Sequence, residues 1–164
     1  MAGATPVDRD RAEQMKRGVG SILLLLGLLC PAALTAERET LEQLIARANT
    51  ASAGQQPDLY LEVADRGVRA ATESYNAGKP EDGRAALQQV VDYADKAHAQ
   101  VLKSGKKLPR TEIKIRRIAA RLHDLKRNVE ADEQAEVQSA ADKLEGFRTD
   151  LLKAMFGPKN PENK

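Results

Sequence analysis

There is no tryptophan in this 164-residue chain, and only three tyrosines, two phenylalanines, two histidines and one cysteine, Cys30. Each scarcity excludes something. A single cysteine cannot close an intramolecular disulfide or build a thiolate metal cluster. The haem-attachment spacing C-x-x-C-H is absent. Few aromatics means few surfaces on which single-stranded nucleic acid could stack. A formal net charge of +2 is too small to argue for nucleic acid on its own. No glycine-rich phosphate loop, HExxH helix or GxSxG nucleophile elbow occurs. With so few nucleophiles and metal ligands, the expectation is a non-enzymatic chain with no cofactor, no metal and no nucleic-acid partner. β-branched residues are sparse and scattered, which gives strands little support.

What is abundant is Ala, Leu, Glu, Gln, Lys and Arg, the good helix formers. The N-terminal part has a separate logic. Met15-Lys16-Arg17 precedes an apolar run from Ile22 to Cys30, and then come Pro31, the small residues Ala32, Ala33 and Ala36, and the charged Glu37-Arg38-Glu39. A basic start, a short apolar core and a small-residue exit describe a secretory signal peptide. The expected cut follows Ala36, with Ala33 as the alternative. The apolar core falls well short of the ~20 residues of a spanning helix. An uncleaved anchor over 18–36 remains open, as does lipidation at Cys30. Residues 1–14 are polar and patternless, and Met15 is the expected start. The expected location is therefore outside the cytoplasm, periplasmic or extracellular. A membrane would be touched only through an uncleaved N-terminal segment.

Five helices are expected over residues 37–156, with a disordered tail at 157–164. The first, 38–53, places Leu41, Leu44, Ile45 and Ala48 on one face. Thr40 and Gln43 have capping-box spacing. The second, 58–77, carries Tyr60, Val63, Ala64, Gly67, Val68, Ala71 and Tyr75. Its small residues at 64, 67 and 71 would admit a close neighbour. Gly78 and Pro80 separate it from the third, 80–104, whose face is Leu87, Val90, Val91, Ala94, His98, Val101 and Leu102. The fourth, 110–130, has the seam Ile115, Ile118, Leu122, Leu125, Val129. The fifth, 132–156, has Asp132 at its expected N-cap and Val137, Ala140, Ala141, Leu144, Phe147, Leu151 and Met155 inward. The loops are short, so chain neighbours should pack antiparallel. The fold class is all-α: an antiparallel up-down bundle of four to five helices after an N-terminal signal peptide.

Ala71, Tyr75, Gly78, then Ala85 or Ala86 and Tyr93, make the second and third segments resemble a tetratricopeptide hairpin. The resemblance spans about a quarter of the chain and one unit, whereas solenoids stack at least three. It implies protein binding rather than catalysis. As a whole the chain resembles small exported bacterial helical proteins, a likeness that carries over no functional residues.

Between 103 and 127, ten basic residues face only Glu112 and Asp124, an excess of eight. Lys114, Arg116, Arg117, Arg121 and Arg127 are the candidate face for an anionic partner such as lipid head groups, a polyanion or an acidic protein. The alternative is a solvated face paired with the acids of the fifth helix: Glu133, Glu136, Asp142, Glu145 and Asp150. Ile113 lies away from its helix's apolar seam, beside these cations. Tyr60, Tyr75, Tyr93 and His98 are the candidate lining of a hairpin contact or small-ligand pocket. His98 and His123 should differ by roughly 10 Å in height, too far to share a metal. The function expected is an exported structural or protein-interaction module of the cell envelope. An anionic-surface binder and a small-ligand bundle are the alternatives.

Overall fold

The first helix begins where its capping chemistry places it. Thr40 is extended, its Oγ1 accepts from the Gln43 amide, and Gln43 Oε1 accepts from the Thr40 amide at 2.8 Å. Thr40 thus stands just outside the helix, as a capping box requires. The computed structural model describes residues 39–158. The segments 1–14 and 15–36 and the chain beyond 158 lie outside the described residues.

Among the described residues there are five α-helices and no strand: α1 Leu41–Thr50, α2 Gln56–Asn76, α3 Pro80–Ser104, α4 Leu108–Lys126 and α5 Gln134–Phe156. The chain is an all-α bundle. The sequence-based boundaries shift at the prolines. Pro57 and Pro109 stand just outside the expected spans 58–77 and 110–130, but each sits in the first turn of a helix, where its missing N–H costs nothing. Asp132 does not cap α5. Glu133 takes the preceding position and makes no side-chain capping bond. Val129 falls beyond α4, which ends at Lys126 in a tighter turn where the Arg127 and Asn128 amides reach the Asp124 and Leu125 carbonyls. Gly78, at φ +67°, follows α2 in the left-handed region, and the Lys79 amide then reaches the Ser74 carbonyl at 2.9 Å.

Three helix pairs run antiparallel. Glu39 bonds Arg66 while Gln56 bonds Asn49, so α1 lies head to tail along α2. Tyr60 meets Tyr93, with ring centroids 5.6 Å apart, while Gly83 abuts the Tyr75 ring at the other end of α2 and α3. Arg148 bonds Glu112 while Lys126 bonds Gln138, which orients α5 against α4. The two hairpins, α2/α3 and α4/α5, then stack with matching helices parallel. Asp58 and Asp65 of α2 reach Arg110 and Arg121 of α4 in the same order. Arg84 and His98 of α3 reach Glu136 and Asp150 of α5 in the same order. Around the bundle the order is α2, α3, α5, α4, so the consecutive helices α3 and α4 lie on a diagonal and barely touch. α1 packs on α2 alone.

The core is aliphatic and alanine-rich. Leu44, Val63, Val90, Ile115, Leu122, Val137, Leu144 and Leu151 have no exposure, and Ala64, Ala71, Ala94 and Ala119 let the helices approach. Leu102, assigned inward from sequence, is 37% exposed. The closest approach is at Gly67, where a Cβ would stand 2.8 Å from Val90 Cγ2. Ala at 67 gains roughly 1 kcal/mol of helix propensity but overpacks a site of the kind that costs about 1–3 kcal/mol. We expect Gly67→Ala to destabilise by about 1 kcal/mol net. The penalty should shrink in the Val90→Ala background, as chemical denaturation of the double-mutant cycle would read. Equal penalties in both backgrounds would refute the contact.

Candidate functional site

Stacking two hairpins leaves two seams, α2/α4 on one side and α3/α5 on the other. The α2/α4 seam is held by salt bridges. Asp58, in the first turn of α2, accepts from Lys107 Nζ at 2.7 Å, Arg110 Nε at 2.9 Å and Lys114 Nζ at 2.7 Å. Lys107 holds a left-handed backbone at φ +62°, rare for a residue with a Cβ. Its ammonium reaches both Asp58 and the Gly54 carbonyl, 2.6 Å away. Burial pushes the Asp58 carboxyl up, but bonds from Lys107 and Lys114 outweigh that and hold it at about 2. Farther along, Arg121 bonds Asp65.

The basic run therefore pairs mainly with α2, not with α5 as the alternative sequence reading had it. The α5 acids are engaged elsewhere. Glu133 and Glu136 bind Arg84 of α3, Glu145 binds Arg148, and Asp142 accepts from Gln138. Asp150 lies 3.7 Å from His98 Nε2 and 3.8 Å from Lys153. Within α4, Arg127 bonds Asp124, and Arg116 stands 4.0 Å from Glu112. Arg117 makes no ion pair among the described residues. Ile113, one turn before it, is 45% exposed.

Between these cations the seam opens into a cavity of about 190 Å³. Leu61 and Ile118 form its floor, and Lys114, Arg117, Arg121, Glu62 and Asp65 its rim. The α3/α5 seam holds a second cavity, about 280 Å³. Its floor is Leu87, Val91 and Ala140, and its rim Arg84, Gln88, Glu136, Ser139 and Lys143. His123, Lys126 and Arg127 line a shallow polar basin at the α4–α5 turn.

The four residues read as one pocket do not come together. Tyr60 and Tyr93 pair across α2/α3, with Lys96 Nζ 4.4 Å above the Tyr93 ring. Tyr75 lies fifteen residues along α2 from Tyr60, ~22 Å at helical rise. Burial, with the Glu133 charge, pushes its phenol up to about 12. His98 faces α5 instead, stacked on Phe147 at 4.7 Å. Packing of two separate helix pairs claims these side chains, so they line no common space.

Sequence reasoning missed Asp58, Asp65, Gln88, Ser139 and Lys143. Asp58 carried a weak signal, an acid in a first turn after proline, which by itself reads as a helix-dipole partner. Among the described residues no three His, Cys, Asp or Glu side chains are grouped to hold a metal. Nor is any described helix long and apolar enough to cross a membrane. No protein-family model, curated protein or solved structure matches this chain.

Proposed function

We propose that this chain is a non-catalytic protein-interaction module of the cell envelope, working through the seams between its stacked hairpins. The observation that carries the reading is that both seams are concave, apolar at the floor and polar at the rim. That is the layout of a contact surface with a desolvated centre. The envelope location rests on the basic, apolar and small-residue succession at 15–36. Internal pairing supports a protein partner over a broad polyanion. Lys107, Arg110, Lys114 and Arg121 are paired with Asp58 and Asp65 across the hairpins, so their charges are already partly neutralised where they meet solvent.

The test is capture of the C-terminally tagged full chain from its own envelope fraction, washed at low and high salt and read by mass spectrometry. The bait is expected to begin at Glu37. A protein prey should be retained by the wild type and lost in at least one of two groove-blocking variants, Ser139→Trp in the α3/α5 seam or Arg117→Glu in the α2/α4 seam. A prey indifferent to both, or no prey, refutes the reading.

A further inference from the structure

We infer that the α2/α4 cavity is the seat for an acidic helical segment of a partner protein, which rests one apolar side chain over Leu61 and Ile118 and sets a carboxylate on Arg117. The inference rests on the interaction reading above and deepens it. Charge complementarity selects the occupant. Lys114, Arg117 and Arg121 stand around the opening with Glu62 and Asp65, and because Glu62 pairs with Arg66 and Asp65 with Arg121, the rim's unmatched charge is positive and centred on Arg117. Lys114 and Arg121 are fixed in place by Asp58 and Asp65, while the Arg117 fork is unpartnered among the described residues. A guanidinium free to take a carboxylate bidentately, beside a buried apolar floor, is the arrangement that dominates binding energy at protein interfaces. Leu61 and Ile118 are each 2% exposed, so the floor is narrow and takes one side chain, not an apolar face. Ile113 stands one helical turn before Arg117, beside the cations rather than in the floor, and is 45% exposed. A partner helix would match this with an apolar anchor and an Asp or Glu three or four positions away. A bilayer surface suits the cavity poorly. It is planar where the seam is concave, and two of the three rim cations are already bound to carboxylates.

A photo-reactive amino acid placed at Ile113 of the full-length chain, activated in its own envelope fraction, would report the occupant. Adducts should map to a protein segment in which an apolar residue has Asp or Glu within one helical turn. Their yield should fall at least about tenfold in Arg117→Glu, fall less in Arg117→Lys, which keeps the charge but not the fork, and drop at high salt. Lipid adducts would make this face a membrane contact and overturn the inference. So would adducts on segments without acidic residues, a yield indifferent to Arg117→Glu, or no adduct. If prey capture is abolished by Ser139→Trp while Ile113 yields no adduct, the interaction reading stands and this seat does not.

Discussion

Leu144→Ala is expected to cost about 2–5 kcal/mol and to lower Tm by roughly 10 °C. Leu144 has no exposure and shares its inward face with Val137, Ala141 and Leu151, none of them exposed either. Truncation removes the transfer energy of the isobutyl group and leaves a cavity that helices packed on every side cannot easily collapse. A domain of this kind has only about 5–15 kcal/mol in total, and the described residues contain no disulfide that could offset the loss. The matched control is Leu102→Ala. Sequence periodicity placed Leu102 on the buried face of α3, but it is 37% exposed, so its truncation should cost under about 1 kcal/mol. Thermal denaturation of the two variants side by side would read the difference. Equal losses would contradict the packing.

Asp58→Asn is expected to destabilise by about 1–2 kcal/mol at neutral pH, and the deficit should vanish in acid. The folded carboxyl sits at about 2 against an ordinary value of 3.8. A lowered folded value means that the charged form stabilises the fold. That stabilisation is complete above the ordinary carboxylate range, begins to fade as pH falls below about 4, and is gone below about 2. The full shift corresponds to ~2.4 kcal/mol. Lys107, Arg110 and Lys114 are partly solvated, so screening reduces it to the figure expected. Replacement also leaves three cations crowded without their anion. Urea denaturation of both proteins between pH 7 and pH 2 is the measurement. A deficit that stays constant with pH would mean that Asp58 acts through its shape rather than its charge.

Amphipathic spacing was a sound guide to α3 and α4. Ile115, Ile118, Leu122 and Leu125 are all buried, and α3 spans the residues its periodicity indicates. The small residues of α2 marked the close approach to α3 correctly, although the partner across it, Val90, could not be named from the chain alone. Ile113 faces solvent as its position on the helix implies. The candidate site was far less legible. Tyr60, Tyr75 and His98 looked like parts of one pocket because helical periodicity puts them on inward faces, and Tyr93 was grouped with them although it stands off the α3 stripe. Periodicity says nothing about which neighbour each inward face meets. Arg117 looked like one cation among ten, and its lack of a partner at the α2/α4 seam emerges only once Asp58 and Asp65 have claimed Lys107, Arg110, Lys114 and Arg121.

Local patterning by itself determined five helices, four of them strongly amphipathic, and where most of them start and stop. Capping chemistry, glycine at a left-handed turn and the 3.6-residue period are properties of contiguous residues. The order of the helices around the bundle was a tertiary decision. A three-residue loop permits α3 and α4 to lie side by side. Instead, one hairpin stacks on the other in parallel around the buried aliphatic core, with salt bridges from α2 to α4 and from α3 to α5, between residues some fifty positions apart, crossing both seams. The two grooves exist because of that stacking. No sequence period encodes them, because the energy that favours them lies between residues distant along the chain.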